Sequence, residues 1–248
     1  MRAVICSGQA VVLHRLAIMS KDGDWILRED EETLWHILSV LESRGAVYRF
    51  GAPLDLRWLR GGWSSHFEFR HEGIRVRTDF FTRPPRLVPD DLQRIWKEQA
   101  GQEPPFTSAP DLARIKMTQR EKDYPVIGEL ARLMPRIEDR LRFSRSARDL
   151  CSLAADHPVL AERLARERPL LALAAVSGAD ADGVAEALDA ERRQLIKADA
   201  ERMRRFEEAA GLWKELWPRV HARIEGLSLL GAHAILASEA SGVLPEEV

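Results

Sequence analysis

Three aspartates are the residues of this chain best suited to chemistry. Asp22 and Asp24 stand two residues apart in a strand-like segment, and Asp79 stands in a later one. Side chains at positions i and i+2 of a strand share one face, so Asp22 and Asp24 present two carboxylates side by side. Carboxylate oxygens are ligands that Mg²⁺ and Mn²⁺ prefer. The three aspartates therefore predict a divalent-metal site, provided that the strand of Asp79 lies beside that of Asp22.

The elements that must position these carboxylates are predicted in the first third of the chain. Short apolar runs predict strands at residues 3–8 and 20–27, separated by a helix at 8–16. Asp30 can cap a following amphipathic helix, and Gly45 is placed to end it.

A β-hairpin is predicted next. Segments 66–69 and 74–80 have strand character and flank a short turn that contains Gly73. Alternation in the second segment places Arg77 and Asp79 on one face of the sheet.

The remainder of the chain has helical character. Asp123 can cap a helix that has Pro125 in its first turn, and residues 182–217 form one long helix that Pro218 interrupts. A last helix is predicted at 229–239. We predict an α+β fold: a mixed sheet flanked by helices, followed by an all-helical C-terminal bundle. The predicted domains are a core at 1–108, a helical extension at 109–140 and a helical C-terminal domain at 141–248.

Composition narrows the classes of function. The chain is 45% hydrophobic and 31% charged with a formal charge of −2, so charge-driven binding to nucleic acid is not expected. Cys6 and Cys151 have no metal-ligand spacing and indicate a reducing compartment. Neither a signal peptide nor an apolar run long enough to span a membrane is evident. We expect a cytoplasmic protein without a membrane partner.

The aspartates belong to a longer pattern. Cys6-Ser7-Gly8-Gln9-Ala10 is followed by Ser20-Lys21-Asp22-Gly23-Asp24 and then by Asp79, and Lys116 is followed by Asp123. This pattern resembles the nucleotidyltransferase superfamily, which shares its fold with polymerase β. The resemblance covers roughly residues 3–134 and is closest to the bacterial abortive-infection-type and minimal nucleotidyltransferases. It implies a nucleotidyltransferase-like sheet and catalytic core.

The resemblance also implies a reaction and a set of roles. A nucleoside monophosphate would pass from a nucleoside triphosphate to a hydroxyl acceptor, which could be transfer RNA, a protein or a small molecule. The implied catalytic residues are Asp22, Asp24, Asp79 and Lys116, and the three aspartates would hold Mg²⁺ or Mn²⁺. The implied nucleotide-binding residues are Ser7, Gly8, Ser20, Lys21, Arg77 and Asp123.

Other interpretations of the aspartates stay open. Asp22 and Asp24 could be a solvated pair at a strand end. Gly23 stands where the family generally has an aliphatic residue, so a module that binds nucleotide without turnover, in a toxin–antitoxin or regulatory complex, is a second hypothesis. An antitoxin would then be a partner.

Two further segments invite functional interpretations. Ser64, Ser65 and His66 suggest a nucleophile with a base, but His66 occupies the last glycine position of the hydrolase elbow motif, so a hydrolase is not favoured. Within a transferase, this segment would line the site, with His66 and Glu68 on one face.

A basic run could receive RNA or triphosphate, although pairing with Glu138, Asp139 and Asp149 on a solvated helix face is favoured. The run comprises Arg132, Arg136, Arg140, Arg142, Arg145 and Arg148.

Overall fold

The chain combines one β-sheet with many helices. A computed structural model describes residues 1–176, 178 and 180–248. In this part of the chain, a five-stranded mixed sheet is formed by the N-terminal region and the C-terminal region is mostly helical. The predicted α+β class and mixed sheet are confirmed in this form. The more specific nucleotidyltransferase fold stays a prediction.

The sheet brings together strands that are distant in sequence. Its strands are β1 (Ala3–Cys6), β2 (Asp22–Leu27), β3 (Val47–Tyr48), β4 (Ser65–His71) and β5 (Ile74–Phe81). Their order is β1-β2-β5-β4-β3, with β2 and β5 parallel and every other neighbouring pair antiparallel. The strand of Asp79 therefore lies directly beside the strand of Asp22 and Asp24.

Helices surround and follow the strands. In the N-terminal part these are α1 (Ser7–Leu13), α2 (Glu31–Ser43), α3 (Leu56–Leu59), α4 (Pro89–Glu98), α5 (Ala109–Ile115) and α6 (Asp123–Leu133). Beyond them are α7 (Ile137–Phe143), α8 (Ala147–Asp156), α9 (Pro158–Leu164), α10 (Leu170–Ala174), α11 (Ala181–Ala209), α12 (Gly211–Ile224) and α13 (Leu229–Ala240).

Two compact units divide these elements. The first unit comprises residues 1–13, 17–107 and 203–248, and the second comprises 14–16 and 108–202. The last helices thus belong to the unit of the sheet, whereas the sequence grouped them with the rest of 141–248. These units describe packing, and the predicted division into three domains stays a prediction.

Local signals explain the elements around the sheet. The Asp30 carboxylate accepts a hydrogen bond from the Thr33 N–H at 2.7 Å, which caps α2 as predicted. Glu72 and Gly73 have φ values of 49° and 80° between β4 and β5. Two consecutive positive φ values are the conformation of the tight hairpin turn that the Gly73 signal predicted.

The core of the first unit lies on one face of the sheet. Phe67 and Phe80 project from β4 and β5 with their ring centroids 5.7 Å apart. Leu34 and Leu38 of α2 belong to the same cluster, as does the fully buried Trp213 of α12, whose indole N–H donates to the Gly51 carbonyl at 2.9 Å. Burying each large apolar side chain contributes about 1.5–3 kcal/mol. The opposite face of the sheet carries Asp24 and Asp79, and beside them the buried Cys6, which lies opposite Asp24 in the register of β1 and β2.

The second unit has its own helical core, centred on α7 to α11. Leu141, Leu150 and Leu171 are fully buried there. The buried Arg168 side chain donates to the carbonyls of Leu141 and Ser144 and forms an ion pair with Glu191. Arg168 therefore binds carbonyl groups near the end of α7 that the helix itself leaves without partners.

Three details of the helices differ from the sequence-based expectation. The predicted long helix ends at Ala209 and a new helix begins at Gly211, so the break falls before Pro218, which lies inside α12. Glycine is a weak helix former, and packing of α12 compensates for the hydrogen bond that Pro218 cannot donate. Asp123 is not the cap of α6, because Lys122 occupies that position and the Asp123 carboxylate is bound elsewhere.

No helix of the described residues is both long enough and apolar enough to cross a membrane.

Candidate functional site

The predicted carboxylates meet on the polar face of the sheet. Asp24 of β2 lies opposite Asp79 of β5, and Asp79 lies opposite His66 of β4. Two residue pairs along the strands, Asp22 lies opposite Arg77. Residues opposite each other on paired strands share a face, so the register unites the predicted carboxylates with a histidine and an arginine.

Alternation along the strands separates this polar face from the core. Thr78, between Arg77 and Asp79, is buried, and its hydroxyl donates to the Gly23 carbonyl at 3.1 Å. Phe67 and Phe80 are buried among apolar side chains. Each candidate residue is half-buried beside a neighbour that faces the core, as the period of two requires.

Asp24 is the most strongly perturbed carboxylate of the site. Burial is the largest cause that raises its pKa above the usual 3.8, and the charges of Asp79 and Asp22 raise it further. Hydrogen bonds from the Ser7 hydroxyl and the Gly8 N–H act in the opposite direction. On balance the raised pKa of Asp24 disfavours its ionised form, as expected for a buried carboxylate that faces two others.

The Ser7-Gly8 turn supports this aspartate. Ser7 has a φ of 50°, an unusual value for a residue with a side chain. A Cβ atom at Gly8 would lie 2.3 Å from the Ser20 hydroxyl oxygen, which donates to the Asp22 carbonyl at 3.0 Å. Gly8 therefore leaves room for a serine that holds the start of β2. Both Ser7 and Gly8 bind Asp24 here, and their predicted contact with nucleotide stays a prediction.

Gly23 has a structural reason to lack a side chain. It is buried between the two aspartates, and a Cβ atom there would lie 3.3 Å from the Trp25 indole nitrogen and 3.4 Å from the Gln9 amide nitrogen. An aliphatic side chain would need both neighbours to move. The side chains of Trp25 and Gln9 thus explain why a glycine stands at position 23.

Two carboxylate oxygens of the site are buried without a hydrogen bond. They are Oδ1 of Asp22 and Oδ1 of Asp79. The latter lies 2.8 Å from Nδ1 of His66 and 3.6 Å from a guanidinium nitrogen of Arg49, so it has charged or polar neighbours but no aligned donor. A buried carboxylate oxygen without a donor is unfavourable, and a bound cation would relieve it.

Cationic side chains border the carboxylates. In the described chain no ion pair is formed by Arg77, although it lies opposite Asp22. Lys21, which precedes Asp22, is exposed. Arg77, on the face of the aspartates, is therefore available to an anion that approaches them.

The carboxylate oxygens of the site are the type of ligand that a hard divalent cation prefers, but they are not arranged as a complete metal site. Carboxylate oxygens without donors and mutual repulsion at Asp24 are what Mg²⁺ or Mn²⁺ would satisfy. Among the described residues, however, no group of three or more His, Cys, Asp or Glu side chains is arranged to hold a metal ion. The metal site at Asp22, Asp24 and Asp79 therefore stays a prediction.

Lys116 and Asp123 form a buried ion pair within the second unit. The Lys116 ammonium group donates to Oδ1 of Asp123 at 3.1 Å, and both side chains are almost fully buried. The other carboxylate oxygen accepts from the Thr118 hydroxyl at 2.9 Å and from Arg120. The predicted lysine and aspartate thus come together, and their roles toward nucleotide stay predictions.

The sequence missed one contact within the site. Ser64 and His66 are two residues apart and share a face, and the Ser64 oxygen lies 3.0 Å from Nε2 of His66. Ser65, between them, is fully buried toward the other face. The sequence was judged against the hydrolase elbow motif alone. The i, i+2 spacing of Ser64 and His66, which places both on one face of a strand, was the signal that could have found this contact.

The basic run lies on paired helix faces. Arg132 forms ion pairs with Glu129 and Asp149. Arg136 and Arg142 both pair with Glu138. This is the pairing that the sequence favoured for these arginines over a free basic patch.

Comparison with known proteins returned no match: no family model, no curated protein and no solved structure is similar to this chain.

Proposed function

We propose that this protein is a metal-dependent nucleotidyltransferase that transfers a nucleoside monophosphate from a nucleoside triphosphate to a hydroxyl acceptor. The observation that carries the proposal is the register of two parallel strands, which sets Asp24 opposite Asp79 and places Asp22 two residue pairs away on the same face. The buried Oδ1 of Asp22, which accepts no hydrogen bond, and the raised pKa of Asp24 support a cation-binding role for this face.

In the proposed reaction, three groups of residues have different roles: holding the metal ion, positioning the aspartates and binding phosphate. Asp22, Asp24 and Asp79 would hold Mg²⁺ or Mn²⁺, which when bound supplies charge neutralisation at the triphosphate and acidifies the attacking hydroxyl. Ser7, Gly8 and Ser20 keep Asp22 and Asp24 in place through their hydrogen bonds. Arg77 and Lys21 would bind phosphate oxygens, because both are positive charges next to the aspartates.

The side chains of the polar face indicate which substrate supplies the nucleotide, but they do not indicate which hydroxyl receives it. Carboxylates beside cations suit a triphosphate with its metal ion. The acceptor hydroxyl could belong to transfer RNA, to a protein or to a small molecule, and the helical C-terminal region would select it.

A labelling experiment tests the proposal. The full chain is incubated with each nucleoside triphosphate, labelled at the α-phosphate, with Mg²⁺ or Mn²⁺, and with total RNA or cell extract. Label on an acceptor is expected, and the double variant D22N/D24N should lower the rate at least about 100-fold. The exposed Glu215 of α12 offers a matched control, since E215Q also replaces a carboxylate by an amide. Equal rates in D22N/D24N and the wild type would refute the proposal.

One observation favours a second candidate function. Because the described residues contain no preformed three-ligand metal group, a module that binds nucleotide without turnover, paired with an antitoxin or regulatory partner, fits the same face. Calorimetry separates the two functions. Nucleotide binding without transfer of label to any acceptor would favour the binding module.

A further inference from the structure

We propose that Ser64 is an internal acceptor: a site at which the protein modifies itself with a nucleoside monophosphate, with His66 as the base. This inference rests on the proposed function, because the nucleotide is the one bound at Asp22, Asp24 and Asp79. It names a covalent modification site on the chain itself.

The first observation is a serine hydroxyl held against a histidine beside the candidate site. The Ser64 oxygen lies 3.0 Å from Nε2 of His66, and Nδ1 of the same ring lies 2.8 Å from Oδ1 of Asp79. Since the two ring nitrogens face different partners, the ring connects the hydroxyl to a candidate metal ligand. A hydroxyl and an imidazole within hydrogen-bond reach are the requirements for an activated oxygen nucleophile.

The second observation is that the surroundings hold the ring in this position. A Cβ atom at Gly51 would lie 2.5 Å from Cδ2 of His66 and 3.1 Å from the Ser64 carbonyl oxygen. The His66 carbonyl accepts from the Arg49 N–H at 2.8 Å, and the Ser64 carbonyl accepts from the Ala52 N–H at 3.1 Å. The absence of a side chain at Gly51 therefore allows the His66 ring to approach the loop closely, while backbone hydrogen bonds fix both residues.

The third observation is exposure. Ser64 and His66 are half-buried, so a nucleotide on the polar face can reach the Ser64 hydroxyl. Ser65 is fully buried, and its hydroxyl has no hydrogen-bond partner. Only one hydroxyl of the pair can act as an acceptor, which makes its neighbour a matched control.

The proposed step balances as an ordinary phosphoryl substitution. The Ser64 oxygen attacks the α-phosphorus, the bond from that phosphorus to the β-phosphate bridging oxygen breaks, and pyrophosphate leaves with the electron pair. The hydroxyl proton passes to Nε2 of His66, the ring nitrogen that lies 3.0 Å from the Ser64 oxygen. The product is a phosphodiester between Ser64 and a nucleoside.

Mass spectrometry tests the proposal. The full chain is incubated with each of the nucleoside triphosphates and Mg²⁺ or Mn²⁺, and the intact mass and the peptide containing residues 64–66 are measured. The wild type and S65A are expected to gain one nucleoside monophosphate on Ser64, and S64A is not. H66Q should slow the modification about 100-fold, the range for loss of a general base. Thermal melting of each variant establishes that it folds.

A second measurement needs neither metal nor nucleotide. A fluorophosphonate should label Ser64 in the metal-free wild type and S65A, because His66 activates the hydroxyl, and should label H66Q much more slowly. Equal labelling of H66Q and wild type would overturn the role of His66.

The outcomes separate this inference from the proposed function. Label on RNA or another acceptor with no adduct on Ser64 would overturn the inference and leave the proposed function standing. An adduct that persists in S64A would overturn it in the same way. If the wild type neither binds nor consumes any nucleoside triphosphate, the proposed function and the modification site both fail.

Discussion

Asp24 and Asp79 lie opposite each other on two adjacent parallel strands, β2 and β5, and each belongs to a different segment of the sequence. The charge of Asp79 is, after burial, the largest influence that raises the pKa of Asp24. A protein that places two carboxylates in this relationship loses stability unless something else stabilises their charges. The consequences of that relationship can be measured.

Replacing Asp24 should stabilise the protein at neutral pH. Because the pKa of Asp24 is raised in the folded state, its ionisation opposes folding; this penalty is absent below pH 3.8, grows as the pH rises through the folded-state pKa and is complete above it. D24N removes the penalty, and its amide oxygen can still accept from Ser7 and Gly8. We expect a gain of about 0.5–2 kcal/mol at pH 7 in urea unfolding, which disappears toward pH 3.8.

The exposed carboxylate variant E215Q is the control for D24N and should change the free energy of unfolding by less than about 0.5 kcal/mol. A D24N protein that is less stable than the wild type at pH 7 would contradict the assignment of mutual repulsion.

Gly8 and Ser20 should be energetically coupled. In G8A the new Cβ atom would displace the Ser20 hydroxyl, which would lose its hydrogen bond to the Asp22 carbonyl. That bond contributes about 0.5–1.5 kcal/mol. In an S20A background the hydroxyl is already absent, so G8A should destabilise less. A double-mutant cycle measured by urea unfolding should show a coupling energy of about 1 kcal/mol; strictly additive effects would count against this contact.

The buried pair of Lys116 and Asp123 should be critical for stability. K116M removes the buried cation next to Oδ1 of Asp123, while Thr118 and Arg120 still bind the other carboxylate oxygen. We expect a loss of about 3 kcal/mol, the low end of the range for a broken buried ion pair, because Arg120 still compensates part of the charge. The double variant K116M/D123N removes the buried carboxylate as well and should recover much of that loss. The exposed Lys197 provides the control K197M, which should be close to neutral. A small loss in K116M would show that Lys116 is not needed for folding.

His233 should make stability fall in acid. Burial is the main cause that lowers its pKa below 6.5, and the Tyr48 hydroxyl lies 2.8 Å from its Nδ1. As the pH falls below 6.5, the unfolded chain binds a proton that the folded protein resists, so stability is full above pH 6.5 and decreases below it.

The variant H233Q tests this pH dependence. Its free energy of unfolding should change less between pH 7.5 and pH 5 than that of the wild type, values chosen as roughly one unit or more on either side of the ordinary histidine pKa. H36Q, at an exposed histidine of α2, should keep the wild-type dependence. An unchanged dependence in H233Q would assign the effect to other groups.

Much of the local structure around the site could be predicted from short-range signals. The Asp30 cap, the turn at Gly73 and the shared face of Asp22 and Asp24 each depend on a few neighbouring residues and their backbone preferences. The end of the long helix was mispredicted, because Pro218 is a strong local signal that packing of α12 overrides.

The contacts that define the site could not be predicted from such short-range signals. Gly23 departs from the family pattern, but only the positions of Trp25 and Gln9 explain why. Lys116 and Asp123 were expected to meet a nucleotide and a helix end, whereas their mutual contact depends on how two helices pack. The contact of Ser64 with His66 follows from strand period, yet the nearness of Asp79 follows from pairing of β4 with β5.

The sequence by itself determined which residues have the chemistry: three aspartates on predicted strands, a small-residue turn and a lysine followed by an aspartate. It also determined their faces, because a strand alternates with a period of two whatever surrounds it. Only the tertiary structure decided that Asp24 faces Asp79 and that His66 stands between Asp79 and Ser64. These contacts depend on strand register. The register is set by burial of the apolar face of the whole sheet and not by the residues of any single strand.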